Sequence, residues 1–149
     1  MAMRQQNRQR RRVEEALGRE AYAEILYKAG YKSAYHWCDK EAKQHGIGGI
    51  AVFEHYLKRL SQRGWGVFSI AEADPSKSHA RIHLHHSSFV LAQPDKHGKL
   101  CYMFAGWFAG AMDWVNDTAP DAAIKGPRAH SAEVRCAGEG HDCCVFHVG

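Results

Sequence analysis

The chain has 149 residues, which suits one domain, and 45% of them are hydrophobic, enough to bury a core. No apolar run approaches the roughly 20 residues of a membrane helix, and no apolar secretory core follows the N-terminus, so a soluble, cytoplasmic protein is expected. The formal charge of +4 does not describe a nucleic-acid surface: Arg4, Arg8, Arg10, Arg11 and Arg12 supply it, and without those five the chain carries −1.

Residues 1–12 read as a basic, disordered tail, followed by a single domain over residues 13–149. Val13, Leu17, Ala21, Ile25 and Ala29 recur about once per turn, and Leu26 widens the stripe, so a helix is expected here. Glu14, Glu15 and Glu20 favour its start. A second helical stretch runs from near Ser33 to Lys43, with Gly30 as the expected bend or break between the two. "HGIGG" ends it, since glycine adopts positive φ at low cost. A further helix covers about Ile50 to Gln62, with Phe53, Tyr56, Leu57 and Leu60 as its apolar face.

After Gly64 the period changes to two. "WGVFSIAEA" and "HARIHLHHSSFVL" read as strands, and "DPSK" between them as a turn, making a hairpin. "QPDKHGK" is a polar loop. "LCYMFAGWFAGAMDWV" is apolar on nearly every side, as a buried helix is. Gly106 and Gly110 lie one turn apart on it and leave room for a neighbouring backbone or for a ligand. "NDTAPDAAIKGPRAH" is a long loop. The chain closes with a second hairpin, "AHSAEVRC" and "CCVFHV", joined by "AGEGHD". This order implies an α+β domain: an antiparallel sheet of about four strands, in two hairpins, packed with helices.

The chemistry concentrates in cysteine. Cys38, Cys101, Cys136, Cys143 and Cys144 are odd in number, and in a reducing compartment such clusters mean metal or catalysis more often than disulfides. Cys136 closes one strand and Cys144 opens the next, Glu133 lies just upstream, and Cys101 is the best fourth candidate. Three thiolates and a carboxylate would suit zinc. The spacing is not a standard zinc-finger pattern, and buried structural cysteines remain the alternative. Cys143 and His141 compete with Cys144 for the last position. Strand neighbours point to opposite faces, which favours Cys144 and leaves His141 as a turn residue.

"CYMFAGWFAGAMDWV" followed by "AEVRCAGEGHDCCVF" resembles the C-terminal half of the 4-vinyl-reductase-type domain, and the related sensory domain of phenol- and xylene-responsive activators. Those domains carry a cysteine, a Gly-aromatic-small-small-Gly helix, a Glu-x-x-Cys strand, a glycine-containing turn and a final cysteine. The resemblance covers the last third of the chain, and the loop between Val115 and Ser131 looks longer than in the sensors. It implies a fold like that of the haem-NO-binding and trafficking-particle superfamily, a zinc held by Cys101, Glu133, Cys136 and Cys144, and a small hydrophobic cavity between sheet and helices. Trp37, Phe104, Trp107, Phe108 and Ala111 are the candidate pocket walls. It also implies a homodimer paired through the N-terminal helices, with Leu17, Tyr22 and Ile25 as the seam. With no ATPase or DNA-binding segment after the module, a transcription activator of that kind is not expected.

The functional expectation is a domain that binds a small hydrophobic or aromatic molecule and carries a structural zinc. The alternative is a small reductase or hydrolase acting on a cyclic or apolar substrate, and a third class is an interaction scaffold. Neither a nucleophile–base arrangement nor a glycine-rich nucleotide loop stands out. A zinc closed by four protein ligands has no position for water, which favours binding over catalysis. No membrane or specific nucleic-acid partner is expected. In "RIHLHH", Arg81, His83 and His85 share one strand face opposite Ala80, Ile82 and Leu84. Together with His86 they read as a solvated sheet face ahead of a carboxylate- or metal-gripping cluster.

Overall fold

A computed structural model describes residues 5, 8, 9, 12 and 15, all helical, and then 18–92, 101–119 and 128–149. Its elements are α1 (Arg19–His45), α2 (Ile50–Gln62), β1 (Val67–Asp74), β2 (His79–His85), a short α3 (Ser88–Leu91), α4 (Phe104–Asp117), β3 (Ser131–Arg135) and β4 (Cys144–Val148). Of the basic tail, Arg8 and Arg12 are helical and exposed. Residues 1–4, 6, 7, 10 and 11 of that tail, Val13 and Leu17, the "QPDKHGK" loop and positions 120–127 lie outside the described residues.

The fold is α+β. The strands form one antiparallel sheet in the order β1-β2-β4-β3, so a β2–β4 pairing joins the two hairpins. Alternation sends Ala80, Ile82 and Leu84 inward, where they are fully buried, while Arg81 and His85 stay exposed and His83 is half-buried. The inner face receives α4, whose Phe104 and Phe108 rings meet Phe146 at 6.2 and 5.0 Å between centroids. α4 lies between the sheet and α1, and so needs apolar residues all round. Burying one such phenylalanine contributes about 1.5–3 kcal/mol.

The other side of α4 explains its glycines. A Cβ on Gly106 would collide with the Tyr27 carbonyl, and one on Gly110 with the Tyr31 carbonyl. Both glycines therefore face backbone, and the steps of four on each helix advance in the same direction, so α1 and α4 run parallel at close approach. Polar bonds fasten this seam. Tyr31 and Tyr35 donate to Asp113 and Asp117, the latter at 2.7 Å. Arg128 pairs with Asp117 and lies 3.4 Å from Asp113, which also accepts from the Ala129 N–H at 2.8 Å.

Three local expectations are corrected. Gly30 does not break the first helix, because α1 is continuous from Arg19 to His45. The glycine is there for packing, since a Cβ at this position would meet the Trp107 indole. The strand starting at His79 ends at His85 rather than running to Leu91. His86 takes a left-handed conformation (φ 56°), and the Ser87 hydroxyl then caps α3 by accepting from the Phe89 N–H at 3.2 Å. The buried helix begins at Phe104, after a turn through Cys101, and continues past Val115 to Asp117. Of the expected dimer seam, Tyr22 is already buried within the chain at 8% exposure, while Ile25 is 53% exposed. Among the described residues, no helix is long and apolar enough to cross a membrane.

Candidate metal centre

Glu133 lies on β3 and Cys136 just beyond it. In a regular strand residues three apart face opposite ways, which would separate them. A bulge between Glu133 and Arg135 changes the phase. Glu133 and Cys136 both point inward, and Val134, at 48% exposure, points out. Cys144 opens β4 opposite Leu84 of β2, and Cys101 sits in the turn entering α4. All four are buried, and one ligand atom from each lies within 4.8 Å of the others.

The sulfur separations are 3.5 Å for Cys101–Cys144, 3.5 Å for Cys136–Cys144 and 3.9 Å for Cys101–Cys136. These are far too long for a disulfide, and none of the five cysteines is in one. A tetrahedron with zinc–sulfur bonds of about 2.3 Å has edges of about 3.8 Å, so the thiols already stand at the spacing of a zinc shell.

Donors surround the sulfurs. The Ala137 N–H points at Cys144 Sγ at 3.3 Å and the Gly138 N–H at Cys136 Sγ at 3.4 Å, while Ser87 Oγ lies 2.8 Å from Cys101 Sγ. The turn that aims these amides is itself closed, because Glu139 accepts from the Cys136 N–H at 3.0 Å. N–H groups directed at sulfur favour the thiolate over the thiol. Burial and the neighbouring acidic side chains act the other way. Burial, and then the Cys136 thiol beside it, push the Glu133 carboxyl up to about 9. Hydrogen bonds to Cys136 and Cys144, with burial, push the Cys101 thiol well above its usual range. The Cys101 contact lowers Cys144, but Cys136 and burial outweigh it and leave that thiol at about 12.

Glu133 supplies the fit test. One oxygen accepts from the Cys101 N–H at 3.1 Å, while Oε2 is buried with no hydrogen-bond partner among the described residues. A buried carboxylate oxygen without a partner, beside three thiols at tetrahedral spacing, is what a cation would satisfy. The donor set fits zinc.

Cys143 is half-buried and lines a groove on the outer sheet face with Arg81, His83, Arg135 and His141, away from the cluster. His141 is exposed. Cys38 is buried in the core, and burial pushes its thiol up to about 12. Of the expected pocket walls, Phe104, Phe108 and Ala111 are fully buried in the core. Phe104 touches Trp65, Phe68, Phe89 and Trp107, and Phe108 touches Phe53 and Phe68. Trp107 and Trp37 are partly exposed and both contact Tyr56. Sequence reasoning missed Ser87 and Glu139. A serine before a short apolar run, and a Cys-x-x-Glu spacing at a turn, were the available signals.

A family described as a domain of unknown function (DUF5943) matches residues 4–71. Comparison with curated proteins found no match. Solved structures do match across nearly the whole chain. The phenol-responsive sensory domain of the transcription activator PoxR, with phenol, superposes at a TM-score of 0.76 and 12% identity, over 99% of this chain and 74% of that one. The chain has the fold of that sensory domain. A trafficking protein particle complex subunit 3 from Naegleria fowleri, covalently bound to palmitic acid, follows at 0.61 and 13%, over 99% and 93%. A vinyl-4-reductase family protein from Methanocaldococcus jannaschii gives 0.57 and 19%, over 83% and 66%.

Proposed function

We propose that the chain is a binding domain for a small hydrophobic or aromatic molecule, with its sheet and central helix fastened by one structural zinc held by Cys101, Glu133, Cys136 and Cys144. The observation that carries this reading is the buried three-thiol, one-carboxyl cluster, in which Glu133 Oε2 has no hydrogen-bond partner among the described residues. Zinc there would join the start of α4 to β3 and β4 and contribute directly to folding. With four protein donors the shell is closed, so the metal takes no substrate, and the reductase or hydrolase alternative has no open coordination position to use.

The proposed ligand site lies beside α4, with Phe104, Trp107, Phe108, Ala111 and Trp37 as its walls, and a ligand there would have to part the packed rings of Phe104 and Phe108. Support comes from the partly exposed edge of this aromatic cluster, where Trp65 and Trp107 meet at 5.6 Å. Two fold relatives carry phenol and palmitic acid, and both serve as probes. Titration of either should change tryptophan fluorescence saturably, and Trp107→Ala should abolish the response. Native mass spectrometry of freshly purified chain should show zinc, with or without a retained ligand. Absence of saturable binding of both probes, with no retained ligand, would end the ligand-binding reading. The protein is further proposed to act in the cytoplasm as a homodimer. Ile25, exposed on α1, is the support for that seam, and sedimentation showing only monomer at micromolar concentration would contradict it.

A further inference from the structure

The C-terminal end of α1 carries a second cluster of a different kind. Glu41 and His45 lie four residues apart on one helix face, and His55 comes from α2. Gly46 and Gly49, both with positive φ (63° and 65°), turn the chain between the two helices and bring the three side chains together. One ligand atom from each lies within 4.8 Å of the others. His45 Nε2 stands 2.8 Å and His55 Nε2 3.7 Å from Glu41 Oε2. That oxygen is nonetheless buried and makes no aligned hydrogen bond among the described residues. His45 and Glu41 form an i,i+4 pair, and His55 brings a third donor from another helix toward the same oxygen, which distinguishes the cluster from a simple ion pair.

Support around the cluster is uneven. Trp37, one turn before Glu41, stacks on the His55 ring at 5.6 Å and 26°. His45 stands in solvent, with 56% of its side chain exposed, against 19% for Glu41. Two imidazoles and a carboxylate suit late first-row divalent cations, and the solvent side leaves coordination positions for water. The contrast with the thiol cluster is chemical: that set is soft, buried and closed, while this one is borderline, superficial and open.

We propose that Glu41, His45 and His55 form a second, exchangeable site for a late first-row divalent cation, which clamps the α1–α2 junction. A cation bound only by the folded junction would raise its stability by mass action.

The test uses the whole chain, loaded with zinc and then dialysed against metal-free buffer. Nickel(II), which favours imidazole, is titrated by calorimetry and by tryptophan fluorescence. Zinc(II) is titrated separately, and thermal unfolding is recorded with and without each metal. The expected result is one equivalent bound at micromolar affinity, quenching of fluorescence by nickel through Trp37, and a metal-dependent rise in unfolding temperature. His45→Ala, at an exposed position the fold does not need, should weaken binding about tenfold or more and remove the thermal shift. His55→Ala and Glu41→Gln should do likewise, while His79→Ala should not. Thiol-bound zinc, measured after thiol modification, should be unchanged in all four, which separates this site from the buried one. Failure of the wild type to bind either metal below millimolar concentration would overturn the proposal, and so would equal binding by His45→Ala.

Discussion

The α1–α4 seam and the thiol corner both bury an acidic group, and they neutralise it by different means. Asp113, at 1% exposure, has Arg128 at 3.4 Å, the Tyr31 hydroxyl and the Ala129 N–H. Its charge is met by the chain itself. Glu133, at 7% exposure, accepts one N–H and stands beside three thiols, and its Oε2 has no hydrogen-bond partner among the described residues. An isolated carboxylate in such surroundings is costly, and burial accordingly pushes Glu133 up to about 9. On the proposal above, the first region is self-sufficient and the second calls for an ion from outside.

If that distinction holds, the two regions should fail separately. The largest effect is expected from Cys136→Ser, which removes one donor of the corner. It should abolish zinc retention and cost more than about 4 kcal/mol, the range that follows loss of a metal site, with aggregation on mild heating. Thermal unfolding alongside metal analysis checks this, and an equally stable variant would break the comparison. Gly106→Leu strikes the seam instead. Its side chain has no space against the Tyr27 carbonyl, and overpacking should cost about 1–3 kcal/mol or more. Whatever folded protein remains should keep its zinc, as elemental analysis would show. Gly110→Leu should behave the same way, because the Tyr31 carbonyl occupies the matching place.

Smaller effects sharpen the contrast. Asp113→Asn keeps an acceptor but removes the charge that Arg128 faces, so a loss of about 1–2 kcal/mol is expected, read from denaturant midpoints. The two regions should also differ in pH response. Burial, and then the hydrogen bond to Asp117, push Tyr35 from 10.0 up to about 12. A group raised in the folded state contributes stability in full below its unfolded value and loses it as pH rises through the folded one. The seam should therefore weaken between pH 10.0 and about 12, and Tyr35→Phe should make that limb shallower. The corner should fail at the other end of the scale, because protons compete with the metal for thiolate and carboxylate.

The same contrast governs what the sequence revealed. The corner was legible because cysteine is rare, and a strand, tight turn and strand place Glu133, Cys136 and Cys144 together locally, while Cys101, 35 positions before Cys136, was marked by its residue type. The seam was not. Tyr31 and Asp113 are 82 positions apart, and neither type is unusual on a helix. Gly30 read as a helix breaker by local propensity, but its contact with Trp107 gives it a packing role inside a continuous α1. Both hairpins were visible from alternation and turn residues. The β2–β4 pairing that merges them into one sheet is non-local and left no periodic signal. The bulge that turns Glu133 and Cys136 to one side was equally silent, since it depends on the register of β3 against β4.

The central claim is that the corner holds zinc, and the most direct measurement is the metal content of wild-type and Cys136→Ser chains purified without chelator or added metal, with thermal unfolding recorded on the same samples. One zinc per wild-type chain, released only on thiol modification or unfolding and lost from Cys136→Ser along with much of its stability, is the expected result. A folded wild-type chain with no stoichiometric metal, and unfolding unchanged by the substitution, would contradict it.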